Sequence, residues 1–283
     1  MSDMKYGRRS PKRTPSLKLA SFLKTIPDHP VSEDYLSQLS DWKILGNDRY
    51  GDCAAVGWAN SRKFASTLLG GKEYYPTEKQ VLQLYKTQNP NFPQDDGGMD
   101  VQTLLEYLTH NGGPDGVKLC AFASVDTSNL AEVKAALGIF GSVLLGVEVQ
   151  DMNQQDFSNG VPWDYHSDGT VEGGHCILGG GYLNRPTEDV KFITWGAETG
   201  MTDSFWNHLV NCPSGEVWIL IWPENLGTKQ FIEGIDMTML ASDYEALTGR
   251  PFPVADPSPI VNPDLSNNNG CLDAILKLFG IGK

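Results

Sequence analysis

Cys53 lies where a reactive cysteine would be expected. It falls in the segment NDRYGDCAAVGWAN, directly before a run of small and apolar residues that predicts a helix over 54–69. The unpaired N–H groups and the dipole at the first turn of a helix stabilise a thiolate, which is the nucleophilic form of cysteine. The same position also suits a small residue that only packs in a core, so Cys53 alone supports both interpretations.

A thiolate nucleophile needs a base or an ion-pair partner, and histidine is the usual one. Of the five histidines, His175 stands out because it begins a strand-like segment after two glycines, in GGHCILGGGY. Glycines at such a place let another backbone or a substrate approach closely. A histidine that is simply hydrogen-bonded at a strand end would show the same pattern, so this alternative also stays open.

The elements that must position these two residues change in kind along the chain. Helices come first, predicted over 54–69, over 77–87 and in MDVQTLLEYLTHNGG. Strands follow, with one more helix in NLAEVKAALGIFG between the first two of them; the strand segments are VKLCAFASV, SVLLGVEV, HCILGGGY, DVKFITWG and VWILIWP. This segregation of helices and strands is typical of the α+β class.

Taken in order, these segments resemble the papain-like cysteine peptidase family. GDCAAVGWA is similar to the segment around the family's nucleophile, and DDGGMDVQTLLEYLTHNGG to its Gly-Gly segment and the helix that follows. GGHCILGGGY is similar to the histidine motif, and ITWGAETG to the Trp-Gly segment that closes the site. The resemblance covers about residues 40–225. It implies an α+β, papain-like two-lobe fold, with a helical N-terminal lobe and an antiparallel, β-barrel-like C-terminal lobe.

The resemblance also implies roles for individual residues. Cys53 would be the nucleophile and His175 the base, while Asn47 matches the position whose side-chain amide helps to bind the oxyanion. The implied substrate-binding residues are Gly97, Gly98 and Trp195. The implied reaction is hydrolysis of an amide bond in a peptide or protein through a Cys53 thioester, and nothing in it requires a cofactor or a metal.

The chain also departs from the family pattern. The family's Asn that orients the imidazole is replaced by Ile193, although Thr194 beside it offers a hydroxyl and Asp189 a nearby carboxylate. Loss of the orienting group would lower the rate by orders of magnitude. Asn47 is shorter than the family's Gln, and Tyr50 replaces the cysteine that forms a disulfide in many secreted members. These departures support an alternative, a catalytically weak papain-fold protein used for binding or assembly.

Composition excludes several classes of function. With 22 basic and 35 acidic residues, the net charge of −13 argues against a nucleic-acid-binding protein. No apolar run reaches the length of a membrane span, and the N-terminus lacks the pattern of a signal peptide. Five widely spaced cysteines without CxxC pairs argue against a disulfide framework or a zinc site. The expected location is the cytoplasm, or a phage particle if the chain is an assembly component.

Both ends extend beyond a body at 41–249, in which the helical lobe is expected to end near residue 115. Residues 1–40 form a basic, proline-containing arm that is shorter than the family's usual inhibitory propeptide and unlike it in sequence. We expect this arm to pack across the domain surface, or its charge to contact an acidic partner. Residues 250–270 are a Pro/Asn-rich linker, and 271–283 an amphipathic segment that would dock on a larger assembly or fold back on its own domain.

Overall fold

The computed structural model describes residues 4–24 and 32–253. Within these ranges, helices dominate the first part of the chain and strands the second, which confirms the α+β class. The helices that precede the main strands are α1 (Leu19–Phe22), α2 (Cys53–Lys63), α3 (Glu78–Tyr85) and α4 (Val101–Asn111). Later helices are α5 (Leu130–Phe140), α6 (Asp151–Ser158), α7 (Asp203–Phe205), α8 (Lys229–Gly234) and α9 (Met237–Thr248).

The helices begin where the sequence provides caps. Thr77 caps α3 through a reciprocal pair of hydrogen bonds with Gln80, and Asp100 accepts from the Thr103 N–H at the start of α4. The helix predicted over 54–69 is α2 followed without a break by a π-helical segment at Phe64–Leu69. No prediction was made for α8 and α9, which cover one end of the sheet.

The strands form one sheet, in the order β1-β3-β8-β4-β5-β6-β7, with β2 paired to β5. Every pairing is antiparallel except that of β1 with β3. The sheet was expected to be barrel-like, but over the described residues it stays open. The strands are β1 (Leu17–Lys18), β2 (Glu33–Asp34), β3 (Ala121–Val125), β4 (Val143–Gln150), β5 (Val171–Tyr182), β6 (Val190–Thr194), β7 (Ala197–Met201) and β8 (Glu216–Ile221).

The sheet separates two hydrophobic cores. On β4, Leu145 and Val147 enter one core with α5 and α8, whereas Leu144 enters the other core with α2 and α4. Successive side chains of a strand point to opposite faces, so one strand can serve both cores. The cleft between the helical lobe and the sheet therefore begins where α2 meets β4 and β5.

No helix among the described residues is long and apolar enough to cross a membrane. The linker from residue 254 onwards and the docking segment 271–283 lie outside the described residues, so both stay predictions.

Candidate active site

The structure places Cys53 and His175 on two neighbouring elements. Cys53 is the first residue of α2, and His175 lies on β5, which packs directly against α2. The backbone N–H of Cys176, the residue after His175, donates to the Cys53 thiol. Both side chains are almost fully buried, each about 1% exposed. A helix start and a strand 122 residues later thus meet at one point of the cleft.

One nitrogen of the His175 ring has a hydrogen-bond partner within the described ranges and the other has none. Nε2 lies 2.8 Å from the Thr194 hydroxyl, while Nδ1 has no hydrogen-bond partner among the described residues. Aromatic rings surround the imidazole, with centroid distances of 5.1 Å to Trp195, 5.8 Å to Tyr6 and 6.2 Å to Trp163. The ring is therefore shielded from water and held in one orientation.

Of the two candidates for orienting the imidazole, Thr194 and Asp189, only Thr194 contacts it. Ile193 points into the core that the sheet shares with α2. Asp189 instead accepts from Lys134 Nζ at 2.6 Å and from the Asn184 N–H at 2.7 Å. The residue next to the expected position thus supplies the hydrogen bond, because alternation along β6 turns Ile193 away from the cleft.

Asn47 is buried at the edge of the same cleft. Its Nδ2 donates to the carbonyl oxygen of Tyr50 at 3.0 Å and, more weakly, to that of Lys5 at 3.3 Å. The Lys5 N–H in turn donates to the Asn47 carbonyl at 3.1 Å. The amide at the position implied for oxyanion binding therefore already contacts two peptide carbonyls, and the more distant of them, that of Lys5, belongs to the N-terminal arm.

The arm runs through the cleft as an extended strand. On one side, the N–H groups of Gly7 and Arg8 donate to the Gly174 carbonyl at 3.2 and 2.9 Å. On the other, Met99 N–H donates to the Gly7 carbonyl at 2.7 Å, and Arg9 N–H to the Met99 carbonyl at 2.8 Å. The arm was expected to pack across the domain surface, and its residues 5–9 lie between β5 and the segment before α4.

Glycines allow the arm to come this close. A Cβ on Gly98 (φ +73°) would lie 2.1 Å from the Gly7 carbonyl oxygen, and one on Gly174 would lie 2.5 Å from that of Arg8. Gly7 is equally constrained, since its own Cβ would lie 1.9 Å from the Gly51 carbonyl oxygen. Gly97 contributes its carbonyl, which accepts from Arg9 Nε at 2.8 Å. These glycines match the close backbone approach that was predicted for the Gly-Gly segments.

Burial keeps both candidate catalytic groups uncharged. It raises the pKa of the Cys53 thiol to about 12, against the N–H groups of Cys176 and Gly7 and the charge of Arg8, which lower it. Burial, together with the positive charge of Arg8, lowers the pKa of His175 to about 3. With the arm in place, the site therefore holds a neutral thiol and a neutral imidazole.

Asp52 is a third buried titratable group in the cleft. It precedes Cys53 in the chain, and neither carboxyl oxygen has a hydrogen-bond partner among the described residues. Burial raises its pKa to about 8, although the nearby Asn47 amide opposes the shift. Asp52 was not among the sequence-predicted site residues. Its only signal was its position at the residue preceding α2, where a carboxylate is common.

Sequence reasoning also missed Tyr6, Gly7, Arg8 and Trp163. Trp163 lies in the loop between α6 and β5. The arm residues carried no pattern beyond basic charge. Among the described residues, no group of three or more His, Cys, Asp or Glu side chains could hold a metal ion.

Comparison with solved structures identifies the fold. Xylellain, a cysteine protease from Xylella fastidiosa, superposes with a TM-score of 0.58 at 15% identity, over 78% of this chain and 98% of xylellain. Procathepsin B S9 from Trypanosoma congolense gives 0.57 at 13% identity, over 77% and 86% of the two chains. The proform of Amb a 11, a cysteine protease and ragweed pollen allergen, gives 0.54 at 15% identity, over 73% and 70%.

The chain therefore has the papain-like cysteine protease fold, as the sequence motifs implied. No protein-family model and no curated protein sequence matches it. At these identities the likeness concerns the fold, and the activity has to be argued from the residues of the cleft.

Proposed function

We propose that this protein is a cysteine peptidase or amidase that hydrolyses an amide bond in a peptide or protein, with Cys53 as the nucleophile and His175 as the base. One observation carries the proposal. The Thr194 hydroxyl engages Nε2 of His175, so that the unpartnered Nδ1 is left for the thiol at the start of α2. Covalent acyl transfer requires a nucleophile, a base and an orienting group, and Cys53, His175 and Thr194 have the chemistry to supply them.

In this mechanism Thr194 sets the tautomer of the imidazole. If the hydroxyl oxygen accepts from Nε2–H, the lone pair of neutral His175 is on Nδ1 and can take the Cys53 proton. The sulfur then attacks the carbonyl carbon of the substrate, and the backbone N–H of Cys53 and the Asn47 amide stabilise the oxyanion. His175 returns the proton to the leaving amine. Water hydrolyses the thioester, which releases the acid and regenerates the thiol.

The arm must leave the cleft before a substrate can bind. Its backbone bonds to Gly174 and Met99 use the groups that would pair with an extended peptide. Departure of the arm would also hydrate Cys53 and His175, which removes the main cause of their shifted pKa values. We therefore propose that residues 5–9 hold the enzyme in a closed, inactive form.

The substitution Gly7→Ala tests the proposal in the full chain, since the added Cβ would lie 1.9 Å from the Gly51 carbonyl oxygen and displace the arm. Gly138→Ala is the matched control, because its Cβ would meet no atom within 4 Å. The proteins are treated with iodoacetamide between pH 4 and 9, adducts are located by mass spectrometry, and peptide cleavage is measured in parallel.

We expect Cys53 in the Gly7→Ala protein to be alkylated at pH 6 faster than the partly exposed Cys212, which serves as an internal reference. Additional replacement of His175 by Ala should abolish this advantage, and only the Gly7→Ala protein should cleave peptides. If alkylation shows an open cleft but Cys53 reacts like an ordinary thiol and no peptide is cleaved, the proposal fails. That outcome would favour the alternative, a papain-fold binding or structural protein attached through its tail to a larger assembly such as a phage particle.

A further inference from the structure

The arm places one side chain, that of Arg8, in a closed pocket of the sheet. Arg8 Nη1 donates to the Ser214 carbonyl at 2.7 Å and to Glu216 Oε1 at 3.3 Å, and Nη2 donates to the Val147 carbonyl at 3.2 Å. The Arg8 and Glu216 side chains are 1% and 5% exposed. A basic side chain of an otherwise solvated arm is thus almost completely removed from water.

The pocket exists because the residue at its base, Gly146, has no side chain. Gly146 on β4 pairs with Glu216 on β8. A Cβ at Gly146 would lie 2.5 Å from Cγ of Glu216 and 2.8 Å from Cδ of Arg8. Any larger residue at 146 would exclude both the carboxylate and the guanidinium stem, so this glycine makes the pocket.

The orientation of the Glu216 carboxyl group is held by a residue outside the arm. Trp218 Nε1 donates to Glu216 Oε2 at 2.8 Å, which holds the carboxylate with Oε1 available to the pocket. The two backbone carbonyls that face Arg8 add partial negative charge and no donor. If the pocket were empty, its buried carboxylate would face two carbonyl oxygens without any cation, and burying that charge would cost free energy. The pocket is therefore suited to a cationic occupant.

We propose that this pocket selects the substrate, and that Glu216 makes it specific for an arginine in the bound peptide, at the residue whose backbone pairs with Gly174 and Met99. Arg8 then occupies the place of that substrate arginine in the closed form. Arginine is favoured over lysine because the contacts use two separate guanidinium nitrogens, which a single ammonium cannot reproduce. This inference rests on the proposed peptidase function and names its substrate class.

The test uses the full chain carrying Gly7→Ala and Arg8→Ala, so that the arm is displaced and the pocket is empty. Cleavage of a peptide library is measured for this protein and for versions that also carry Glu216→Gln or, as the matched control, Glu148→Gln. Glu148 is a carboxylate on the neighbouring strand β4. It accepts a hydrogen bond from the hydroxyl of Ser214, just before β8, and does not contact Arg8.

We expect arginine to dominate at one position of the cleaved peptides. Glu216→Gln should lower kcat/KM for arginine peptides roughly 10- to 100-fold, the effect of losing a charge-assisted hydrogen bond, and should narrow their advantage over leucine peptides. Glu148→Gln should leave the arginine preference unchanged. Cleavage without an arginine preference would overturn the inference and leave the peptidase function standing.

A binding measurement distinguishes failure of the arginine-pocket proposal from failure of the peptidase proposal. A fluorescent peptide copying residues 4–13 is titrated against the same opened proteins, beside a version in which Arg8→Leu. If no peptide is cleaved but the copy binds, and its advantage over the leucine version disappears with Glu216→Gln, the pocket is specific for arginine although the peptidase proposal is wrong. Equal binding of the two peptides overturns the inference.

Hydrogen exchange covers the case in which the opened proteins do not fold. In the otherwise unchanged chain, Glu216→Gln should accelerate amide exchange at residues 7–9 at least 10-fold relative to Glu148→Gln. Equal exchange in these two proteins would show that Glu216 does not hold the guanidinium, and the inference would be wrong.

Discussion

Both ends of helix α2 hold buried titratable groups, but within the described part of the chain only those at the C-terminal end have hydrogen-bond partners for their charges. At the C-terminal end, Arg62 is 3% exposed and donates to Asp115 at 2.8 Å and to both oxygens of Glu224 at 3.0 and 3.2 Å. Its guanidinium also lies 4.6 Å from the centroid of the Trp222 ring. At the N-terminal end, Asp52 has no hydrogen-bond partner among the described residues, and Cys53 is buried as a neutral thiol.

This difference separates an end of the helix that stabilises the fold from the end at which we propose the active site. Arg62 joins the helical lobe to the segment after β8, and the hydrogen bonds of its guanidinium offset the cost of removing the charge from water. The cleft end keeps titratable groups that are buried without full compensation, which is a feature of functional sites more often than of stabilising ones. The following predictions would break or sharpen this distinction.

The largest expected effect is at the structural end. Arg62→Ala would leave Asp115 and Glu224 buried without their partner, and should lower the free energy of unfolding by about 3–5 kcal/mol. Urea unfolding measures the change. Arg49→Ala is the control, because its pair with Glu78 is half exposed and its loss should have little effect. If both variants lost similar amounts of unfolding free energy, the buried ion pairs of Arg62 would stabilise the protein no more than an exposed pair does.

The next effect concerns the one hydrogen bond that orients His175. Thr194→Val removes the hydroxyl at nearly constant volume, and should lower kcat of the opened enzyme about 10- to 100-fold, as expected for a hydrogen bond to an imidazole that becomes charged. The pH profile of kcat/KM should shift as well, which a purely structural change would not produce. Thr194→Ser should retain most of the activity. A fully active valine variant would show that Thr194 does not position the base.

The smallest effect is a gain in stability at the cleft end. Folding raises the pKa of Asp52 from 3.8 to about 8, so the folded protein keeps a proton that the unfolded chain releases. The stability of the parent protein should therefore fall as pH rises from about 4 to 8. Asparagine cannot ionise, so Asp52→Asn removes this pH-dependent penalty and should stabilise the protein at pH 8 by at least about 1 kcal/mol, the free energy of a pKa shift of one unit.

Thermal unfolding of the two proteins at pH 4 and pH 8 checks this prediction. The difference in Tm should be small at pH 4, which is close to the pKa of Asp52 in the unfolded chain, and clear at pH 8, where the unfolded chain releases the proton. A constant difference at both pH values would mean that the effect comes from helix capping by Asn and not from titration of Asp52.

The sequence predicted the elements of the site better than its contacts. The start of α2 at Cys53 and the strand of His175 follow from local composition and periodicity, and the structure has both. The orienting group could not be chosen between Thr194 and Asp189, because the answer depends on which face of β6 meets β5. The contacts of the arm could not be predicted for a similar reason. Its contacts with Asn47, Met99 and Gly174 join residues 40 to 170 positions apart, and no local pattern encodes them.

Some features were therefore determined by the sequence and others by the tertiary structure. Composition and the order of the motifs determined an α+β chain with a cysteine at a helix start and a histidine on a later strand, because hydrophobic periodicity and capping act over a few residues. Only the folded chain decided that Thr194 contacts His175, that residues 5–9 fill the cleft and that Arg8 meets Glu216 across 208 positions. Such contacts depend on how the lobes pack and which groups lose water together.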